Sequence, residues 1–283
     1  MPTVTALLSD IHGNSPALKA VLEDIRGQGC SQVFMLGDLI NGVDPHGCVQ
    51  ILREWQELTQ VELACLKGNG EAYLLTPDRG LLPRQTESWN TDMIRLVDWW
   101  EAHLTQEDIA WIDCFQDFIL WNDACLVHDR PIDRLAPEPW QTPGIEPKYQ
   151  EWFFHSPGIR PDMEDGEWQA LWAYMDEHDF LQVFCGHTHI PFCRENEGKL
   201  VCNSGSAGAT LDGDPRASWI KVQRMPGKRL EADIRRVDYD IARIHQLIDQ
   251  TPDYYDFKVP GYTEAYKKWF STGVHWKIHY SSR

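Results

Sequence analysis

Seven residues of this 283-residue chain have the types and spacing of metal ligands. They are Asp10-x-His12, Gly37-Asp38, Gly68-Asn69, His128 and His187-x-His189: two carboxylates, one carboxamide and four imidazoles. Oxygen and nitrogen donors of this kind suit borderline divalent ions such as Mn2+, Fe2+ and Zn2+. Seven donors are too many for one tetrahedral ion and suit two ions that share a carboxylate. The single-residue spacer in each x motif puts both side chains on one side of an extended segment. Taken alone, a D-x-H, a G-D or an H-x-H is common in folded chains without metal. The order of the five motifs along the chain is what gives them weight.

Each motif follows an apolar run. Val4 to Leu8, Gln32 to Leu36, Val61 to Leu66, Ala124 to Val127 and Leu181 to Cys185 read as buried strands. Ser15 to Ile25, opened by a first-turn proline, and His46 to Leu58 read as helices between them. Strand, helix, strand, helix, strand predicts βαβ units and a largely parallel sheet. Ligands in open α/β sheets bind beyond the carboxyl ends of the strands, so the seven residues are expected to converge on one rim. Further along, Glu87 to Leu104, Gln106 to Phe115 and Glu167 to His178 are predicted helices. Phe118 to Trp121 with Ala124 to Val127 is a predicted hairpin. Short strands are predicted near Phe192, at Leu200 to Cys202, Trp219 to Met225 and Leu230 to Val237, with two helices after them. Seven of the 17 prolines fall between Pro131 and Pro161, which argues against regular structure there.

Composition limits the function. An apolar fraction of 42% and a charged fraction of 24% are those of a globular chain, not of a fibre or a disordered tail. No apolar run approaches the ~18 residues of a spanning helix. Met1 to Asp10 has no basic n-region, so a cytoplasmic location is expected. The net charge of −17 disfavours general nucleic-acid binding and an anionic membrane surface. A phosphorylated small molecule or nucleotide would need local positive charge, which metal ions can supply. The eight cysteines contain no C-x-x-C pair, and all are expected to be reduced.

The motif set Ser-Asp-Ile-His-Gly-Asn (9–14), Leu-Gly-Asp-Leu (36–39), Gly-Asn (68–69), Val-His (127–128), Gly-His-Thr-His (186–189) and Asn-Ser-Gly-Ser (203–206) resembles that of the calcineurin-like metallophosphoesterases. It is most similar to their small bacterial and archaeal members, over roughly residues 3–245. The resemblance implies an α/β fold of two stacked mixed sheets flanked by helices, a four-layer sandwich. It implies a domain over residues 1–250, with a Trp- and Pro-rich insertion at about 77–165 and a helical extension at 251–283. It also implies two divalent ions, Mn2+ first, with Fe2+/Fe3+, Zn2+ or Ni2+ as alternatives. One ion would take Asp10, His12, Asp38 and His189. The other would take Asp38, Asn69, His128 and His187, with Asp38 bridging. Two such ions against two carboxylates and a hydroxide leave one net positive charge. The implied reaction is attack of a metal-activated hydroxide on a phosphate mono- or diester, with Asp38 and Asn69 at the catalytic core. A weakly active or non-catalytic metal-binding scaffold and a protein phosphatase are the alternatives.

One position departs from the family pattern. Where the family has a histidine after Gly-Asn, this chain has Gly70, followed by Glu71. That histidine is assigned to leaving-group protonation, and loss of a general acid costs ~10²–10⁴-fold. His46, in Gly42-Val43-Asp44-Pro45-His46-Gly47, is the catalytic replacement expected here, with His155 and Asp129 as further candidates. A substrate whose leaving group needs no proton is the other solution. A histidine restored at 70 should then help alkyl esters most, if it fits beside Asn69. Asn14 and Asn203 are expected to support the ligands. Nine of the 13 tryptophans lie between residues 89 and 172. They read mainly as helix packing, with Trp140 and Trp152 the candidates for an aromatic lid.

Overall fold

Alternate residues of the central strands face different apolar layers, and this alternation dictates the architecture. In the computed structural model, which describes residues 3–78, 87–131, 158–224, 230–255 and 262–275, the strands form two five-stranded mixed sheets. The first contains β1 (Thr3–Leu8), β2 (Gln32–Met35) and β3 (Glu62–Cys65), all parallel. The second contains β4 (Phe118–Trp121), β5 (Ala124–Val127), β6 (Gln182–Cys185), β7 (Phe192–Asn196) and β8 (Lys199–Asn203), in the order β4-β5-β6-β8-β7. Its β5, β6 and β8 are parallel and its edge strands antiparallel. Antiparallel β9 (Ala217–Arg224) and β10 (Leu230–Val237) complete the first sheet as β10-β9-β1-β2-β3. The helices are α1 (Ser15–Gly27), α2 (Pro45–Thr59), α3 (Asn69–Leu75), α4 (Glu87–Ala102), α5 (Gln106–Asp113), α6 (Asp165–Glu177), α7 (Ile241–Gln250), α8 (Pro252–Tyr255) and α9 (Tyr262–Thr272).

Leu7, Phe34, Leu36, Ala124, Leu126, Phe184, Ile220 and Val222 come from both sheets and meet in one apolar layer between them. Their chain neighbours point outward. Ala6, Leu8, Val33 and Met35 pack on Leu18 and Val21 of α1 and Val49 and Leu52 of α2. Cys125, Val127, Val183 and Cys185 pack on Trp168, Leu171 and Met175 of α6. Strands buried on both faces read as continuous apolar runs, which is why they were visible as such. The result is the four-layer α/β sandwich. A further cluster joins α4, α7, α8 and α9 to Val43, Tyr73 and Ala209, beside the strand ends. Trp100, Trp168 and Trp172 are buried in these clusters, so their role is packing. Trp140, Trp152 and His155 lie outside the described residues. No helix among the described residues is long and apolar enough to cross a membrane.

Local chemistry sets the helix starts. Asn14 caps α1 by accepting from the Ala17 N–H at 3.1 Å, and Asp44 caps α2 by accepting from Gly47 at 3.1 Å. Helix α3 is absent from the sequence reading, because seven residues carry too little periodicity to register.

The expectation that every cysteine is reduced is corrected. Cys193 on β7 and Cys202 on β8 are directly paired across the antiparallel ladder, with Cα atoms 4.2 Å apart, and form a disulfide. Cross-strand pairing brings two Cβ atoms together in a way that a sequence separation of nine does not announce. Peptide mapping under non-reducing conditions should therefore recover one linked pair, Cys193–Cys202. Cys30, Cys48, Cys65, Cys114, Cys125 and Cys185 should alkylate as free thiols once the chain is unfolded.

Candidate metal centre

Loops beyond the ends of β1, β2, β5 and β6 carry Asp10, His12, Asp38, His128, His187 and His189 to one place. The loops are bound to each other through the backbone. The N–H groups of Asp10, His12 and Gly13 donate to the carbonyls of Gly37, Asp38 and Leu39, each at 3.0 Å. Ala207 and Gly208 donate to Ser9 and Asp10 at 2.8 and 3.1 Å. Gly186 admits no side chain: a Cβ there would lie 2.0 Å from Ser9 Oγ and 2.5 Å from Asp10 Oδ2. Asp10, His12, Asp38, His187 and His189 all have left-handed backbone, with φ between 50° and 69°. Most non-glycine residues avoid this region, Asp and His less than others.

Backbone groups occupy one polar atom of each of four of these side chains and leave the other facing the cluster. Asp10 Oδ2 accepts from the His187 N–H at 2.8 Å. Asp38 Oδ1 accepts from the Gly70 N–H at 2.8 Å. His128 Nδ1 meets the Leu36 carbonyl at 2.8 Å, and His189 Nδ1 meets the Ala209 carbonyl. The remaining atoms face one another. Asp38 Oδ2 lies 3.4 Å from His12 Nε2 and 3.6 Å from His128 Nε2. Asp10 Oδ1 lies 3.3 Å from His189 Nε2 and 3.7 Å from His12 Nε2. His187 Nδ1 is 3.3 Å from His128 Nε2. Asp10 Oδ1, His12 Nε2 and Asn69 Oδ1 are shielded from solvent without a hydrogen-bond partner. Such atoms are costly to bury, and a cation is what their chemistry fits. Two sets, Asp10 with His12 and His189, and Asp10 with Asp38 and His128, have the spacing to hold an ion.

The electrostatics match. Burial opposes ionisation of Asp10 and Asp38, but the neighbouring imidazoles outweigh it and hold both well below the usual carboxylate range. Burial likewise opposes charge on His12, but Asp10 and Asp38 outweigh it and raise its pKa to about 10. His187 is pushed down by burial and by His128.

Several residues support this cluster. Asn14 Nδ2 donates to the Gly208 carbonyl at 2.7 Å. Asn203 Nδ2 donates to the Gly186 carbonyl at 2.6 Å and to Thr188 Oγ1 at 3.0 Å. Ser206 Oγ donates to the Asp10 carbonyl at 2.6 Å. The sequence reading gave no role to Glu71. Its buried carboxylate accepts from the N–H groups of Gly68, Asp38 and Leu39 at 2.8, 2.9 and 2.8 Å, with Ile40 at 3.3 Å. It thereby fixes the Asp38 loop against α3. Burial and the charge of Asp38 raise its pKa, against those N–H groups. A glutamate three residues after Gly68 at a helix start was the available signal.

Two expectations meet obstacles. The His46 ring pairs with Asp108 Oδ2 at 2.7 Å on α5, with its side chain 48% exposed, and this contact is not with a site ligand. Position 70 is not open either. A Cβ on Gly70 would lie 2.7 Å from Asn41 Cγ, so Asn41 limits what fits there. Asp129 is buried next to His128, where its charge acts on His187.

Two stacked mixed sheets with these donors at their strand ends have the architecture of metallophosphoesterases. The family model of the calcineurin-like phosphoesterases matches residues 3–191, and the chain belongs to that family. The uncharacterized protein MJ0912 of Methanocaldococcus jannaschii is 27% identical over 267 residues, spanning 87% of this chain and 92% of its own. A metallophosphoesterase from Sphaerobacter thermophilus has a crystal structure similar to this one, with a TM-score of 0.66 at 21% identity. That match covers 97% of this chain and 100% of the other. The hypothetical protein PH1004 from Pyrococcus horikoshii OT3 matches with a TM-score of 0.67 at 17% identity, over 96% and 98% of the two chains. The two structures share the fold.

Two measurements follow. Glu71→Gln turns an acceptor for several buried N–H groups into a group with one acceptor oxygen. It should lower unfolding free energy by about 1–3 kcal/mol in denaturant titrations and weaken divalent-ion binding. Because the metal-free site keeps His12 protonated up to about pH 10, an ion must displace that proton. Affinity should therefore rise with pH across the neutral range, by about tenfold per unit for one proton. Calorimetry in buffers of different ionisation enthalpy should detect the release.

Proposed function

We propose that the protein hydrolyses phosphate mono- or diesters at a dinuclear centre. Asp10, His12, Asp38 and His189 would hold one divalent ion, and Asp38, Asn69, His128 and His187 the other. The observation that carries this reading is the facing of Asp10 Oδ1, Asp38 Oδ2 and the Nε2 atoms of His12, His128 and His189 after backbone groups have taken their other atoms. The distances of 3.4 and 3.6 Å from Asp38 Oδ2 to His12 Nε2 and His128 Nε2 support a reading in which Asp38 would be shared between the ions. Two ions held there, Mn2+ first, would supply positive charge for the phosphoryl oxygens and would lower the pKa of a nucleophilic water.

The chain's own residues perform the remaining work. Glu71 keeps the Asp38 carboxylate in register. The hydrogen bonds at Nδ1 of His128 and His189 orient both rings with Nε2 inward. Asn69 offers an unpartnered carboxamide oxygen. Gly70 brings no proton donor, which favours acidic leaving groups such as aryl oxides, phosphates and nucleotides. With a net charge of −17, the substrate we infer is a phosphorylated small molecule or nucleotide, not a polynucleotide.

The test is a hydrolysis panel on Mn2+-reconstituted protein with p-nitrophenyl phosphate, bis-p-nitrophenyl phosphate, dinucleoside polyphosphates and alkyl monoesters. Aryl and pyrophosphate substrates should be cleaved ~10²–10⁴-fold faster than alkyl esters. Asp38→Asn should reduce kcat by more than about 10²-fold. Failure of the metal-loaded wild type to cleave any member would refute the proposal. His46→Ala serves as a control, expected to change alkyl and aryl rates by the same small factor; a loss confined to alkyl esters would make His46 the donor.

A further inference from the structure

We propose that Asn41 is a substrate-contacting residue that has taken the space a side chain at position 70 would fill. Its carboxamide donates a hydrogen bond to the phosphoryl or leaving-group oxygen, without a proton to transfer. This rests on the phosphoesterase reading above.

Geometry is the first ground. A Cβ built on Gly70 would lie 2.7, 2.8 and 3.0 Å from Asn41 Cγ, Oδ1 and Cβ. The direction in which residue 70 would project is therefore already occupied by the amide of residue 41. The second ground is fixation. Glu71 binds the backbone of residues 38–40, and Gly70 N–H binds Asp38. Behind Asn41, Gly42 lies so close to the His12 carbonyl that a Cβ there would be 1.8 Å from its oxygen. Asn41 thus cannot drift away from the Asp38 loop or from α3.

The third ground is an unmet hydrogen bond. Asn41 Oδ1 is shielded from solvent and has no partner, as is Asn69 Oδ1 next to Gly70. An amide kept for packing alone would be expected to satisfy itself on nearby backbone. One left unsatisfied against Gly70, whose N–H holds the Asp38 carboxylate, is positioned for something that arrives later. A half-turn about its last side-chain bond exchanges the oxygen and nitrogen ends without changing the space filled. The Nδ2 end can therefore meet an acceptor, and phosphoryl and departing oxygens are acceptors. A carboxamide stabilises their developing charge but releases no proton. That predicts a site selective for good leaving groups.

The experiment combines Asn41→Leu, which keeps bulk and removes the amide, with Asn41→Ala, Asn41→Gly, Gly70→His and the double variant Asn41→Gly/Gly70→His. Inorganic phosphate binding to Mn2+-loaded protein is measured by calorimetry, stability by thermal melting, and kcat/KM over aryl and alkyl esters. Asn41→Leu and Asn41→Ala should weaken phosphate about tenfold or more while binding Mn2+ as the wild type does. Gly70→His alone should melt below wild type and gain nothing on alkyl esters. The double variant should melt above Gly70→His and cleave alkyl esters about 10²-fold faster than Asn41→Gly, with a flatter leaving-group dependence. Unchanged phosphate affinity in both amide-deleted variants would overturn the proposal. So would an alkyl-ester gain in Gly70→His that does not need Asn41→Gly. A wild type that binds Mn2+ and phosphate but cleaves no ester refutes the phosphoesterase reading, and the phosphate comparison still decides on Asn41.

Discussion

Two carboxylates, Asp10 and Asp38, are held ionised in the crevice between two sheets, out of contact with bulk water. Most of the unusual features of the molecule answer to that constraint. Charge in such a place persists only if it is paired and hydrogen-bonded. Here the pairing comes from imidazoles and backbone N–H groups. Five residues of the cluster adopt left-handed backbone to present it, a conformation that Asp and His tolerate better than most side chains. An ion that satisfies these donors would stabilise the fold as well as the chemistry.

The layered fold was largely legible because its strands are buried on both faces. Leu7 faces the other sheet while Ala6 and Leu8 face helices, so every position is apolar and the run stands out. The five polar strand ends were legible for the complementary reason: carboxylates and imidazoles interrupt those runs at their carboxyl ends. What depended on distant contacts was not legible. Glu71 reads as an ordinary acidic residue until its four N–H partners are seen. The pairing of Cys193 with Cys202 is a property of strand register. That Asn41 lies over Gly70, and His46 against Asp108, follows from how loops cross, for which spacing along the chain carries no signal.

The chain's acidity and its centre divide the electrostatic work. A net charge of −17 would disfavour polyanions at long range, while attraction for a phosphoryl group would be confined to the few ångströms around the ion-binding donors. On the proposed function, discrimination by charge would act at two scales, the outer one disfavouring large anions and the inner one engaging a single phosphate.

The link between Asn14 and the Gly208 carbonyl spans 194 residues of chain. With Ala207 and Gly208 bound to Ser9 and Asp10, it sets an order of assembly. The first ligand loop lies at residues 9–14, yet its walls are made of residues 203–209, translated much later. The helices and the first three strands can form locally, but Asp10 and His12 must wait for residues 203–209 before they are clamped. Closure over so long a separation is entropically slow. The cation-binding pocket would accordingly be among the last parts of the protein to mature, and a nascent chain cut short of residue 210 would display its carboxylates without the cradle that holds them.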